Sequence, residues 1–312
     1  MEIFLIILAI VLGLGAAFGI FALFFVSYRI YRGVLIRTSK DKWGRSVSEP
    51  SDPQMCQMWD LGLEWGKKNR DFMKVVSIHN DGLKLVGEYY DFGFERTVII
   101  VQGRSECCKY SYFYAMPYRN AGYNVLVIDT RAHGLSEGKY NTAGVKESKD
   151  LLAWARYVHD ELNQVSIIFH SICVGGCSVT LAVTSEECPD YIEKLVIDGL
   201  FVTFVESFAT HMQEKGHSKS PIFWMIWFWF RILGGVSVRK AAPIKVIDKV
   251  RLPVLFLYGK EDKYSLPEKS QILFDKCGSP NKNIVWFEHG AHSRLRLVNT
   301  EDYDKAVTNF VK

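Results

Sequence analysis

Eight short runs of β-branched and aromatic residues punctuate the chain: "KVVSI", "LKLVGEYY", "TVIIVQG", "NVLVIDT", "VSIIFHS", "KLVIDGL", "PVLFLYG" and "NIVWFEH". From the third onward, segments of helix length separate them. Several are apolar throughout, the pattern of strands buried on both faces, and alternation with helices predicts a mostly parallel sheet covered on each side. The expected class is α/β. At 312 residues and 48% hydrophobic, the chain is long enough for one large domain and an additional segment.

That additional segment is N-terminal. Ile3 to Ser27 carries no charge and consists almost wholly of Leu, Ile, Phe, Ala and Gly, and about 20 such residues suffice to cross a bilayer. A cleaved signal peptide would have a basic start and a shorter apolar run, whereas here Glu2 opens the run. A transmembrane anchor is expected. Arg29, Arg32, Arg37, Lys40, Lys42 and Arg45 all follow it, so the positive-inside rule puts the remainder on the cytoplasmic side of the cell membrane. Seven scattered cysteines, an odd number, fit free thiols in a reducing compartment. None has zinc-site spacing, and neither a metal nor a cofactor is expected. Gly15 and Gly19 have the spacing of a helix-pairing motif, a weak pointer to a homodimer. A net charge of +4 without a basic stripe argues against nucleic acid as a partner. The expected organisation is an anchor with its basic flank (1–37), a linker and short helix (38–73), the helix over "MCQMWDLGLEWGKKN", and an α/β domain (74–312).

Chemistry is concentrated at "FHSICVGGC", a strand followed by a turn and a helix of small residues. In a nucleophile elbow the residues two before and two after the attacking side chain must be small, because backbones crowd there. Cys173 satisfies this with Ser171 and Gly175, whereas Ser171 would need Phe169 and Cys173 in those places. Cys173 is the expected nucleophile, against the plainer reading of a buried small hydrophobe. A cysteine nucleophile needs a base and an orienting carboxylate. "YGKEDKYSLP" offers Asp262 after one strand, and "FEHGAHSRL" offers His292 after the last. Asp198, at the end of "LVID", is a competing acid. His170 is expected to point away from the pocket by strand alternation, and Arg131 and His133 to brace their loop. His289 is expected in solvent, and Cys107 and Cys108 in ordinary packing.

The order Cys173, Asp262, His292 is similar to that of the α/β-hydrolase superfamily, and "GKEDKYSLP", "HGAHS" and "IDTRAHGLSEGKY" resemble its acid, histidine and fourth-strand loops. The resemblance runs from about Lys74 to Lys312 and is strongest to bacterial membrane-anchored serine-hydrolase-like members. It implies an α/β-hydrolase fold with a helical cap inserted at about 201–250. The usual serine is Cys173 here, as in dienelactone hydrolases and polyhydroxyalkanoate synthases, and the usual His-Gly after the third strand reads Gln102-Gly103. By the same resemblance, the backbone N–H groups of Arg104 and Val174 would form the oxyanion hole.

Within the cap, "PIFWMIWFWFRILGG" is apolar on nearly every face before Arg231. Two functional readings follow: Trp224, Trp227 and Phe228 line an apolar substrate tunnel, or the helix dips into the membrane interface, where Trp is favoured. The expected function is a membrane-anchored hydrolase or acyl-transfer enzyme, esterase- or thioesterase-like, that acts on an ester, thioester or lactone with an apolar acyl group. The alternative is a catalytically silent hydrolase fold serving as a binding or scaffolding module at the membrane.

Overall fold

The computed structural model describes residues 1–214, 216 and 221–312; residues 215 and 217–220 of the expected cap lie outside the described set. In chain order, the helices are α1 (Glu2–Leu35), α2 (Pro53–Lys68), α3 (Cys108–Ser111), α4 (Met116–Asn120), α5 (Glu147–Asp160), α6 (Val174–Val183), α7 (Phe204–Glu214), α8 (Pro221–Gly234), α9 (Pro267–Lys276), α10 (Leu295–Val298) and α11 (Thr300–Val311). The strands are β1 (Met73–Asn80), β2 (Leu83–Tyr90), β3 (Arg96–Val101), β4 (Asn124–Ile128), β5 (Ser166–Ile172), β6 (Ile192–Asp198), β7 (Val254–Gly259) and β8 (Lys282–Phe287). Each of the eight runs forms one strand, and together they make a single sheet in the order β1-β2-β4-β3-β5-β6-β7-β8. β2 is antiparallel to both its neighbours, and β3 to β8 are parallel.

β4 and β5 are buried at every position, as strands packed on both faces must be. One apolar layer joins β5 and β6 to Trp154 of α5 and the cap aromatics, and the other joins them to Tyr118, Tyr123 and Tyr303. The loop after β4 is organised by the buried carboxylate of Asp129. It accepts from Cys108 N at 2.8 Å, Leu135 N at 2.9 Å and Arg45 Nε at 3.0 Å. Gly134 has φ +50° and lies so close that a Cβ would fall 2.0 Å from this carboxylate.

The basic flank and the stretch after it are not a free tether. Tyr31, Leu35 and Ile36 are at most 2% exposed, Ile36 bridges Tyr140, and Arg37 donates to the carbonyls of Gly134 and Ser136 at 2.7 and 3.1 Å. Trp43 stacks on His133 with ring centroids 4.8 Å apart, and Arg45 pairs with Glu88 as well as Asp129. Residues 36–52 therefore form a strap across the domain. Asp52 ends it by capping α2, accepting from Met55 N at 3.0 Å.

Candidate active site

β5 delivers its last residue, Ile172, straight into Cys173, whose φ of 53° and ψ of −113° lie in territory that a side-chain-bearing residue adopts only under constraint. The constraint is crowding between α6 and β3. A Cβ on Gly175 would lie 2.4 Å from the carbonyl oxygen of Val101 and 2.9 Å from that of Gln102. Ser171 remains inside the strand, fully buried, with its hydroxyl on the Val196 carbonyl at 3.3 Å. Cys173 holds the elbow and lines a cleft of about 410 Å³ together with His292.

His292 stands on the loop after β8, and its Nδ1 lies 2.7 Å from Asp262 Oδ2. The other oxygen of Asp262 accepts from the Tyr264 and Ser265 amides, each at 2.8 Å. Burial would raise the Asp262 pKa, but His292 and these donors outweigh it and hold the carboxyl below its usual range. Burial would likewise lower the pKa of His292, yet the Asp262 carboxylate and then the Cys173 sulfur push it well above the ordinary imidazole value. Nε2 is buried without an aligned hydrogen bond, so the thiol influences the ring without forming a well-directed bond. Tyr264 packs edge-on against the imidazole at 5.2 Å, and Gly199, at φ +65°, approaches its other side, where a Cβ would be 3.2 Å from Cε1.

The backbone N–H groups of Arg104 and Val174 enter no hydrogen bond among the described residues, and both residues line the cleft. Gly103 N differs, donating to Glu106 Oε2 at 3.2 Å. Two backbone donors next to the elbow are thus unpaired among the described residues.

Among the described residues, the cap aromatics singled out in the sequence stand apart from the cleft that holds Cys173. Neither Trp224, Trp227 nor Phe228 lines the cleft. Trp227 is 9% exposed and packs behind Phe204 and Phe208, at 6.2 and 5.1 Å; those two phenylalanines of α7 face the cleft instead. Trp224 and Phe228 lie on the outer surface. The physical reason is that α8 packs on α1, which turns one side of the helix outward and another into the core.

Asp198 is not the histidine's partner. Its Oδ2 accepts from Tyr303 at 2.9 Å. Tyr303 also reaches His170 Nε2 at 3.2 Å, and Tyr118 reaches Nδ1 at 2.6 Å. His170 is thus a buried, satisfied ring facing away from the cleft, pushed down by burial to about 3. Arg131 braces Asp150 through two bonds of 2.7 Å, and His133 bonds the Arg131 carbonyl at 2.9 Å. His289 is exposed and meets Glu261 at 3.1 Å. Cys107 and Cys108 are fully buried, and burial pushes Cys107 up to about 12.

Burial raises Asp198 from 3.8 to about 7, so ionising it costs the folded state. The stability this group contributes is complete below about pH 4 and is lost as pH rises through 7. Asp198→Asn should therefore gain in thermal midpoint relative to the parent between pH 5 and pH 8.5, measured by scanning calorimetry. A gap that is constant with pH would contradict this.

Several lining groups had no sequence signal of their own. Ser48, Glu49 and Met55 reach the cleft because the strap and α2 fold over it, and Glu106 and Glu214 add carboxylates. Arg294, two residues beyond His292, pairs with Asp52 at 3.0 Å; its closeness to the histidine motif was the one available hint.

This sheet order, with a strained residue between β5 and α6, an acid after β7 and a histidine after β8, is the α/β-hydrolase fold. A family model described as serine aminopeptidase S33 matches residues 239–296. Among curated relatives, the uncharacterized protein YqkD of Bacillus subtilis is 29% identical over 217 residues, covering 69% of this chain and 70% of the relative. Protein bem46 of Schizosaccharomyces pombe is 27% identical over 194 residues, covering 62% and 59%. Among solved structures, the esterase Pf2001 of Pyrococcus furiosus superimposes with a TM-score of 0.64 at 24% identity, covering 79% of this chain and 94% of that one. The chain thus has the α/β-hydrolase fold.

Proposed function

We propose that the chain is a membrane-anchored α/β-hydrolase enzyme that cleaves, or transfers the acyl group of, an ester, thioester or lactone through Cys173, His292 and Asp262. The observation that carries this reading is the open cleft in which Cys173, at a strained elbow, meets a histidine held by Asp262 at 2.7 Å. His292 takes the thiol proton as sulfur bonds to the substrate carbonyl carbon, and Asp262 fixes the tautomer and stabilises the imidazolium. The carbonyl oxygen gains negative charge facing the N–H groups of Arg104 and Val174. Collapse of this intermediate expels the alcohol or thiol, which receives the proton from His292, and leaves the acyl group on sulfur. Water or an acceptor alcohol, deprotonated by His292, then removes that group and frees the thiol.

The acyl part fits against Met55, Phe204 and Phe208, and the polar part against the charged rim. Helix α1 is long and apolar enough to span a bilayer, and no part of its apolar window is buried. With basic residues only on its C-terminal side, it would hold the domain at the cytoplasmic face of the cell membrane, with substrate entering from that side. The alternative, a silent binding module, draws on Glu106, whose carboxylate sits on the Gly103 amide beside the nucleophile. Full-length protein in lipid nanodiscs, given p-nitrophenyl esters and acyl thioesters of graded length, distinguishes the two. Acylation of Cys173, located by peptide mass spectrometry, is expected; neither acylation nor turnover across the series would favour the silent module.

A further inference from the structure

Helix α8 packs along α1, and their paired residues fix the relative direction. Phe24 meets Phe228 and Trp229 at 5.7 and 5.9 Å. Trp229 donates to Ser27 Oγ at 3.0 Å and meets Tyr28 at 5.2 Å. The Tyr31 hydroxyl lies beside Gly234, 3.6 Å from where its Cβ would be. The two helices therefore run parallel, and moving toward the N-terminus of α8 follows α1 into its uncharged stretch. Phe223, Ile226, Trp227 and Phe230 are buried in the domain core. The opposite side leaves Trp224 58%, Phe228 42% and Ile232 59% exposed, four residues apart on one stripe. On α1, Phe21 and Phe25, stacked on each other at 6.0 Å, are exposed as well, next to Phe24, which meets Phe228.

We infer that this outer stripe of α8 is a second membrane contact, seated in the acyl region of the leaflet that α1 enters. The inference rests on the spanning role proposed for α1. Exposed apolar side chains of this size, beside an apolar helix that is unburied among the described residues, match lipid rather than water. The charges agree in depth. Arg231 on α8 and Arg29 and Arg32 on α1 are exposed at the end of the pair farther from the apolar stretch, the level of the headgroups. Running parallel to α1, α8 carries Trp224 about 10 Å deeper than Arg231 at 1.5 Å per residue, below the level of the headgroups. Trp224 and Phe228 thus lie among acyl chains, with Ile232 at the boundary. The domain is held at two points, and α7, which lines the cleft with Phe204 and Phe208, is braced from behind by a lipid-seated helix.

The test uses the full chain in vesicles of phosphatidylcholine and phosphatidylglycerol that contain a phosphatidylcholine with a diazirine on its acyl chain. After illumination, peptide mass spectrometry should find lipid adducts on residues 221–232 as well as on α1. A Trp224→Asp, Phe228→Asp double variant, altered only at exposed positions, should lose the α8 adducts and keep those of α1. Adducts confined to α1 in the parent chain would overturn the inference while leaving the anchor intact. Their absence from both helices would remove the anchor itself. Two chains per nanodisc by native mass spectrometry, with α8 free of adducts, would assign the stripe to self-association and overturn the inference equally.

Discussion

Cys173→Ala should abolish turnover of any ester or thioester that the protein accepts, with no acyl group trapped on the chain. Removing the nucleophile from a triad leaves only what substrate binding and the oxyanion donors supply, so a loss on the order of 10³-fold or more in kcat is expected. His292→Ala should fall as far, because nucleophile and base act as a unit and their losses do not add. Asp262→Asn keeps the shape of the site but removes the charge that sets the imidazole tautomer, and a fall of up to roughly 10⁴-fold in kcat is expected. Thermal midpoints measured alongside would separate chemistry from folding: Cys173 borders the cleft, so its alanine variant should melt near the parent. Persistent turnover in Cys173→Ala would show that another residue attacks.

Gly175→Ala should be among the most damaging single substitutions in the chain. Its added methyl would stand 2.4 Å from the Val101 carbonyl oxygen and 3.0 Å from the carbonyl carbon, and both belong to the backbone of β3, in the interior of the sheet. No side chain can rotate aside. Relief requires α6 and β3 to separate, which breaks core packing and displaces the elbow together with the neighbouring Val174 amide. Overpacking ordinarily costs about 1–3 kcal/mol, and a clash between backbones belongs at or above the upper end. Denaturant unfolding should show the midpoint falling with little change in slope. Gly15→Ala, where nothing lies within 4 Å, is the control expected to leave the midpoint unchanged.

The sheet was legible because each strand is an apolar run bounded by polar turns, and burial on two faces requires that composition. The elbow was legible for a related reason: the crowding that forces Gly175 also excludes a large residue such as Phe169 from the position two before a nucleophile. The strap was not legible. Residues 38–52 are polar because they lie over charged partners, Arg45 on Asp129 and Glu88, and polarity alone looks the same in a free linker. Nor could composition orient α8. A helix apolar all round must be covered on several sides, but its sequence does not say which side meets the core and which meets α1. Trp224 and Phe228 stand on the outer surface, while Phe204 and Phe208, one helix earlier and lining the cleft, carried no cluster to attract notice.

Helix α1 runs unbroken from its uncharged stretch to Leu35 in the core, with no hinge between the two. If it spans the bilayer, span and cleft tilt as one lever. A thinner bilayer, which a long helix meets by leaning, would lean the mouth of the cleft with it. Lipid thickness would then act on substrate capture with no ligand and no change of fold, and the membrane itself would become a setting of the enzyme.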